Sequence, residues 1–304
     1  MSLVVTGSIG IDTVHTPHHE VAVDVLGGSC AYFAAAASVL APVRLVAAVG
    51  EDWPVEHELV LRGFEGIDMA GLEKRAGSKT FRWTGKYLDN MNVRETLDVQ
   101  VGILGEAPPV VPVCFADTDF VFLANTDPVS QKALADSFPD GKLVVADTMD
   151  LWINTMRGEL EELLRSVDGL VLNDSESALL TGLSNPISAA KKIGEDYGLK
   201  FVLVKKGEHG SILVHEDGLA VLPAYPAEVV NDPTGAGDSF AGGMMGYLAS
   251  HGRMDFEAMQ LGMAVGTVMA TFTIESFSLD RLSSLTMEEL GGRLERFARM
   301  VRVM

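Results

Sequence analysis

The stretch "NDPTGAGDSFAGG", residues 231–243, puts a flexible turn directly before an apolar helix. Gly235, Ala236 and Gly237 form the turn, and the acid Asp238 follows them. The spacing predicts Thr234 as the N-cap, because a threonine hydroxyl can accept a hydrogen bond from the first turn of a helix. The apolar stripe of the helix consists of Phe240, Met244, Tyr247 and Leu248. The turn is therefore expected to open onto a buried helix.

Two interpretations of this turn remain open. A helix N-terminus carries unpaired N–H groups and a partial positive charge, so it favours anions, and glycines let the backbone approach them closely. The turn would then be an anion hole for a phosphoryl group, and Asp238, kept ionised by the helix dipole, would accept the proton of an attacking hydroxyl. In the structural interpretation, small residues merely start a tightly packed helix whose dipole Asp238 complements.

The composition is that of a folded protein with little attraction for polyanions. The chain has 304 residues, of which 47% are hydrophobic and 21% charged, as is typical of a globular enzyme. Its formal net charge of −19 would repel a phosphate backbone or an anionic membrane surface, so neither nucleic acid nor a membrane is expected as a partner. Residues 26–43 are uncharged but rich in Gly, Ala and Ser, which favours a buried helix over a membrane span.

The cysteines and the N-terminal sequence indicate a cytoplasmic location. Cys30 and Cys114 stand in apolar stretches without metal-ligand spacing, which predicts two buried thiols in a reducing compartment. The first residues, "MSLVVTGSIGID", read as a short strand and a turn rather than as a secretory signal.

Short β-branched runs alternate with helical stretches along most of the chain. This pattern predicts an α/β fold with a doubly wound, mostly parallel sheet flanked by helices. The strand candidates are "LVVTGSI", "VRLVAAVG", "DFVFLAN", "KLVVAD", "GLVLND" and "KFVLVKKG". The helix candidates are residues 29–40, 128–137, 160–167, 175–181 and 186–197, two helices after the opening motif, and an amphipathic helix over 287–304.

Two segments, residues 12–25 and 79–102, interrupt this rhythm and read as antiparallel strands. Phe81, Trp83 and Tyr87 alternate with polar residues, the period of two that a strand with two different surfaces requires. An ordinary edge hairpin that buries its aromatic rings would explain this pattern. The functional interpretation is a β-sheet lid over a binding cleft, inserted in a single domain that spans residues 1–304.

The sequence resembles the ribokinase-like, or PfkB, carbohydrate kinase family. "DPTGAGDSFAGG" is similar to the C-terminal signature of the family, and "GGSCAYFAAAAS" followed by "VRLVAAVGED" is similar to its N-terminal signature, in the same order along the chain. The resemblance covers nearly all of the sequence, lid segments included. It implies the family fold and an ATP- and Mg²⁺-dependent phosphoryl transfer to a hydroxyl of a sugar, sugar acid or nucleoside.

The resemblance also implies roles for individual residues. By position, Asp238 is the general base, and Gly235, Ala236 and Gly237 supply the anion-hole amides. The acceptor positions are Asp12, Gly27 and Gly28. The nucleotide and magnesium positions are Asn173, Glu176 (to Mg²⁺ through water), Lys206 and Gly207, with residues 262–275 near the adenine. Asp232 and Thr234 match positions that bind a monovalent cation, such as K⁺, in some members.

Each of these positions also has a purely structural interpretation. Asp12 could be a strand-end turn residue, and Gly27 with Gly28 a tight turn. The sequence "NDSE", residues 173–176, is a good capping sequence for a helix. Lys206 and Gly207 could form only a hairpin turn between "FVLV" and "SILV". The joint order of these motifs along the chain favours the functional interpretation.

One departure from the family concerns the acceptor. Many sugar kinases of the family have an asparagine where this chain has Tyr32, so a plain ribose kinase is not expected. Together with Trp83, Phe81 and Phe33, Tyr32 could line a pocket that stacks on a nucleoside base, although core packing would explain the same four rings.

The lid segments also carry basic side chains, which have two interpretations. The basic residues of the lid, Arg82, Lys86 and Arg94, could meet an acidic acceptor or form a solvated face.

Other enzyme classes are disfavoured by missing motifs. The chain has no Gly-x-x-x-x-Gly-Lys-Ser/Thr loop, and "TGSIGID" lacks the Gly-x-Gly-x-x-Gly spacing of dinucleotide-binding proteins. The alternative from another class is a catalytically silent small-molecule sensor on the same fold. His15, His18 and His19 lack helical spacing and partners, so no metal site is predicted there. An exposed edge of the lid would allow a homodimer.

Overall fold

The chain alternates strands and helices through most of its length. The computed structural model describes residues 1–19 and 21–302. The strands are β1 (Leu3–Thr6), β2 (Gly10–His15), β3 (Ala22–Gly27), β4 (Val43–Gly50), β5 (Ile67–Arg75), β6 (Phe81–Tyr87), β7 (Arg94–Gln100), β8 (Phe120–Leu123), β9 (Leu143–Asp147), β10 (Gly169–Asn173), β11 (Phe201–Lys205), β12 (Ser211–His215) and β13 (Gly218–Leu222). The helices are α1 (Ser29–Ser38), α2 (Val55–Arg62), α3 (Pro128–Ala135), α4 (Asp150–Thr155), α5 (Arg157–Leu164), α6 (Asp174–Thr181), α7 (Pro186–Tyr197), α8 (Ala236–His251), α9 (Phe256–Thr273), α10 (Asp280–Ser283) and α11 (Met287–Val301).

The larger sheet confirms the predicted doubly wound, mostly parallel architecture. Its strand order is β13-β12-β11-β10-β9-β8-β1-β4-β5. All neighbours from β11 to β5 are parallel, and the β11–β12 and β12–β13 pairs are antiparallel. Strand β1 lies between β8 and β4, so the strand order reverses beside it. In such sheets ligands bind outside the carboxyl ends of the strands near this reversal.

Helices cover both faces of this sheet, because its strands carry apolar side chains on both sides. Leu3 and Val5 of β1 belong to one buried cluster and Val4 belongs to another. The first cluster joins the sheet to α1, α8 and α9, and the second joins it to α3, α5 and α7. Burial on both faces is the pattern expected of a parallel sheet.

Helix α8 lies against α1 and α9 at close range because small residues face them. A Cβ on Gly242 would overlap the backbone carbonyl oxygen of Phe33 in α1, and one on Gly243 would stand 2.9 Å from the Cβ of Met269 in α9. Larger side chains at these positions would push the helices apart. The position of the first turn of α8 is therefore fixed relative to both neighbours.

A second, four-stranded sheet has the order β3-β2-β6-β7. Its strands come from the two segments that interrupt the α/β rhythm. Each segment forms an antiparallel pair, β2 with β3 and β6 with β7, whereas β2 and β6 are parallel to one another. All seven residues of β7 are exposed. The edge of the small sheet at β7 therefore faces solvent.

The structure corrects the prediction that both cysteines are buried. Cys30 is buried as predicted, but Cys114 is exposed, because it lies in a surface 3₁₀ turn, Val113–Phe115, from which Phe115 is the residue that points inward. Within the described part of the chain, no helix combines the length and apolar character that a bilayer crossing requires. Residue 20 of the first inserted segment, and residues 303–304 of the predicted last helix, lie outside the described residues.

Candidate active site

The Gly-Ala-Gly turn begins α8 with a left-handed residue. Gly235 is the N-cap of the helix with φ 75°, a conformation that favours glycine. A Cβ at this position would overlap the ring of Tyr32, so the ring packs directly against the backbone of the turn. The prediction of Thr234 as N-cap was wrong, because the left-handed turn moves the cap one residue on and the Thr234 hydroxyl bonds elsewhere.

Asp238 lies in the first turn of α8 and is half-buried. Loss of hydration and, second, the charge of the neighbouring Asp147 raise the pKa of this carboxyl to about 7, although Lys205 and Arg94 act in the opposite direction. The helix dipole was expected to keep Asp238 ionised. The loss of hydration acts against this effect and shifts the pKa upward. A carboxyl with a pKa near neutrality can take up and release a proton at physiological pH.

Asp12 lies on β2 with its carboxylate against the backbone of Gly27. A Cβ on Gly27 would overlap this carboxylate, and Gly28 is the residue directly before α1. Asp12 is only 4% exposed, and its Oδ1 has no hydrogen-bond partner. Burial, together with the charges of Asp232 and Asp238, raises its pKa to about 7, and Arg94 acts in the opposite direction. A buried acceptor atom without a partner is unusual, which suggests that a hydroxyl from outside the chain could bind it.

Asp232 precedes the turn and is 1% exposed. Its Oδ1 accepts a hydrogen bond from the Thr234 amide at 2.9 Å, but its Oδ2 has no partner. Burial raises the pKa of Asp232 to about 6. The Thr234 hydroxyl donates to the Tyr87 hydroxyl at 3.2 Å. Since Tyr87 ends β6, this bond connects the small sheet to the segment directly before the Gly-Ala-Gly turn.

Asn173 and Glu176 form a capping box at the start of α6. The Asn173 side chain accepts from the Glu176 amide at 2.8 Å, and the Glu176 carboxylate accepts from the Asn173 amide at 2.7 Å. The capping interpretation is therefore confirmed. It does not exclude a second role, because burial and the charge of Asp147 raise the pKa of Glu176 to about 7. A nearby cation would relieve that repulsion.

Two residues at the carboxyl ends of β9 and β11, Asp147 and Lys205, belong to no motif recognised in the sequence. Asp147 ends β9, Asn173 ends β10 and Lys205 ends β11, and Asn173 lies opposite Lys205 in the pairing of their strands. The Lys205 ammonium lies 3.6 Å from the Asp147 carboxylate. Both residues could have been predicted from the sequence, because each is a polar residue that ends a buried strand. The carboxyl ends of such strands meet at one edge of a parallel sheet.

Lys206 and Gly207 begin the turn between β11 and β12, as the structural interpretation expected. Gly207 is exposed, and the Lys206 amide donates to the carbonyl of Gly210 at 2.7 Å. The tip of the small sheet reaches this turn, since the Asn92 side-chain amide donates to Glu208 at 3.1 Å. The small sheet thus contacts the turn predicted for the nucleotide as well as the anion hole.

The four aromatic rings predicted for an acceptor pocket separate into two groups. Phe33 is fully buried and stacks on Phe122 with ring centroids 4.4 Å apart, which assigns it to the core. Tyr32 lies under the anion-hole turn. Phe81 and Trp83 are half-buried on β6, and the Arg94 guanidinium lies 5.3 Å from the Trp83 ring centroid. The half-buried Trp83 and the exposed Arg94 therefore form an aromatic and cationic pair beside Asp12, which lies opposite Trp83 in the register of β2 and β6.

The contacts of Arg82 and the positions of the histidines bear on the two remaining interpretations of the lid. Arg82 forms ion pairs with Asp24 and Asp52, at 2.8 and 3.8 Å, so its charge is already matched. Over residues 1–19 and 21–302, the side chains close enough to share a metal are those of the 215–217 turn, and not the histidines at 15, 18 and 19.

The raised pKa of Asp238 predicts the pH dependence of activity. A general base acts only when ionised, so kcat/KM should rise with pH and level off above about 7. An ordinary aspartate, with a pKa of about 4, would move the rise roughly three units lower. The measurement is kcat/KM against pH, with folding checked by circular dichroism at each point. Activity that stays constant down to about pH 5 would contradict the assignment.

The chain is similar to known proteins in both sequence and fold. The model of the pfkB carbohydrate kinase family matches residues 122–277. A cytidine kinase of Thermococcus kodakarensis is 31% identical over 271 residues, which span 86% of this chain and 94% of that protein.

Two solved structures share the fold across almost the whole chain. A nucleoside kinase of Burkholderia thailandensis in complex with inosine has a TM-score of 0.77 at 20% identity, covering 97% of each chain. A candidate ribokinase II of E. coli in complex with ATP and Mg²⁺ has a TM-score of 0.80 at 18% identity, covering 97% of this chain and 99% of that one. The matched family model, together with the similarity to the cytidine kinase over most of both sequences, shows that the chain belongs to the PfkB family of carbohydrate kinases.

Proposed function

We propose that this protein is a nucleoside kinase that transfers the γ-phosphate of ATP to a hydroxyl of the nucleoside. The observation that carries the proposal is the half-buried Asp238 carboxyl, whose pKa is raised to about 7, in the first turn behind a Gly-Ala-Gly helix start. Nucleosides are favoured over other sugar-like acceptors by the cytidine kinase relative and by the aromatic ring of Trp83 beside Asp12.

In the proposed reaction the acceptor hydroxyl oxygen bonds to the γ-phosphorus. The bond from that phosphorus to the bridging oxygen breaks, and ADP leaves with the electron pair. The hydroxyl proton passes to the Asp238 carboxylate. The amides of Gly235, Ala236 and Gly237 stabilise the charge on the phosphoryl oxygens, which is the largest contribution that a protein can make to this kind of transfer.

The acceptor is proposed to bind between the large sheet and the small one. Asp12 would accept hydrogen bonds from sugar hydroxyls, and Gly27 and Gly28 would lie beside it, since a Cβ on Gly27 would overlap the Asp12 carboxylate. Trp83 would stack on the base, with Arg94 at its rim, and Tyr32 would support the anion hole from below. The small sheet would act as a lid that excludes water from the transfer, within a single domain of residues 1–304.

Nucleotide and cations are proposed to bind along the carboxyl edge of β10 and β11. Lys206 and Gly207 would contact ATP, and Asn173 and Glu176 would lie near its phosphates. The buried carboxylate set around Glu176 fits a hard divalent cation, so Glu176 would hold Mg²⁺ through water, and the ion would supply neutralising charge on the phosphates. The unpartnered Oδ2 of Asp232, together with Thr234, fits a monovalent cation such as K⁺.

The exposed β7 edge is the surface at which a homodimer would form. Edge strands have unpaired backbone groups, and Leu97 and Val99 of β7 are 52% and 46% exposed.

The test is ADP release from ATP and Mg²⁺ with a panel of acceptors. The panel contains cytidine, uridine, adenosine and inosine, and also pentoses, hexoses, sugar acids and sugar phosphates. We expect turnover with at least one nucleoside, at about 1–10 per second, and far less with free sugars. Turnover with sugars alone would leave a kinase but refute the nucleoside assignment. ATP binding without turnover on any acceptor would favour the catalytically silent sensor.

A further inference from the structure

Lys205 is a buried cation beside the anion hole, and no family motif pointed to it. It is the last residue of β11, and its side chain is 17% exposed. Its ammonium nitrogen lies 2.9 Å from the position that a Cβ on Gly237 would occupy. The ammonium therefore abuts the last residue of the Gly-Ala-Gly turn, one residue before Asp238.

The contact with Asp147 accounts for only part of the hydrogen-bonding capacity of Lys205. An ammonium has three donor hydrogens. Among the residues that the structure describes, its ion-pair partner is Asp147, at 3.6 Å, which is longer than a hydrogen bond. Burying a charged donor is unfavourable unless it is paired and hydrogen-bonded. A strong acceptor from outside the chain would satisfy these donors better than Asp147 does.

The surrounding charge keeps Lys205 protonated despite its burial. Desolvation alone would lower the pKa of the ammonium, but Asp147, Glu176 and Asp238 together raise it. Three carboxylates around one ammonium leave this edge of the sheet rich in negative charge. The Lys205 ammonium lies against Gly237, where it would serve as a counter-charge for an anion at the turn.

We propose that Lys205 is a further catalytic residue, whose ammonium binds an oxygen of the phosphoryl group during its transfer at the Gly-Ala-Gly turn. The inference rests on the proposed kinase function and assigns a new residue to it. Charge in phosphoryl transfer is spread over the three equatorial oxygens, and a compact ammonium is well suited to one of them. Lys205 keeps its protons throughout, because the acceptor proton passes to Asp238.

This role differs from that of a counter-ion for Asp147. A counter-ion would matter for folding and would influence ATP and ADP alike. A ligand of the transferring group would affect turnover, and it would affect a nucleotide that carries the γ-phosphate more than one that lacks it. Turnover and the preference for a triphosphate over ADP therefore distinguish the two roles.

The test compares Lys205→Gln with Lys200→Gln in the full chain. Lys200 precedes the same strand at its opposite end and pairs with Asp168 at 2.8 Å, so its loss should leave turnover unchanged. We expect Lys205→Gln to lower kcat about 100-fold, with the acceptor KM within about threefold. Calorimetry should show that AMP-PNP binds about tenfold more weakly while ADP binding changes little.

Each outcome of this test decides the proposal. A folded Lys205→Gln protein with wild-type kcat overturns the inference but leaves the kinase assignment intact. A wild-type protein that releases no ADP with any acceptor overturns the proposed function and this inference with it. If the variant does not fold, a crystal structure of the wild-type protein with Mg²⁺ and AMP-PNP gives the answer. A separation between the Lys205 nitrogen and every γ-phosphate oxygen beyond about 4 Å would refute the contact.

Discussion

Asp238→Asn should lower kcat by about three orders of magnitude and leave nucleotide affinity within a few-fold of wild type. The amide has nearly the shape of the carboxyl but cannot accept the proton of the acceptor hydroxyl. It also removes a buried acid from a site crowded with carboxylates, so folding should be retained. The measurement is steady-state ADP release with the best acceptor of the panel, together with calorimetric binding of ADP.

A matched control for this variant is Glu288→Gln. Glu288 is also a first-turn helix acid, but it belongs to α11, on the surface of the protein. The control should keep full activity, which separates a loss of the base from a general effect on helix dipoles. An Asp238→Asn protein that turns over within tenfold of wild type would remove Asp238 from the mechanism.

Gly235→Ala should impair both folding and turnover. The residue has φ 75°, and its new Cβ would overlap the ring of the fully enclosed Tyr32, so the turn must move. A left-handed non-glycine residue and an overpacked core together should cost about 3 kcal/mol of unfolding free energy. Displaced anion-hole amides should lower kcat/KM about 100-fold. Urea denaturation and steady-state kinetics on the same preparation measure the two effects.

The control for this substitution is Gly291→Ala, in the middle of α11. No atom lies within 4 Å of the new methyl group there, and the backbone is helical. Alanine should therefore stabilise the protein by roughly 0.5–1 kcal/mol without a change in turnover. If Gly235→Ala behaved like this control, the close packing of the turn on Tyr32 would have no functional importance.

The sequence predicted the fold best where hydrophobic periodicity was strong. The predicted strand at residues 43–50 and the helix at 186–197 coincide with β4 and α7. Helix α2 and strand β5 were missed, because Leu61 is the buried residue of α2 and β5 alternates only weakly between buried and exposed positions. The parallel pairing of β2 with β6 joins residues about 70 apart, and no local pattern carries such information.

Sequence motifs named the candidate site residues that lie within them, and they did not name the residues that lie outside them. Asp12, Asp232 and Asp238 were named before the structure brought their charges together, although their roles in the reaction stay predictions. The direction of their pKa shifts could not be predicted, because it depends on burial by residues distant in sequence. Lys205 was missed for the same reason, since its importance lies in its distance to Gly237 across the fold.

The glycine-mediated packing of α8 has a consequence for hydrogen exchange. Amides of α8 are enclosed between α1 and α9 and should exchange only when the whole protein opens, whereas those of β7, exposed along its length, should exchange through local opening. The buried middle of α8, behind the turn and Asp238, would then be among the slowest-exchanging parts of the chain, and β7 among the fastest. The helix behind the Gly-Ala-Gly turn would keep its conformation from one catalytic cycle to the next. The proposed acceptor pocket, in contrast, would form anew in each cycle.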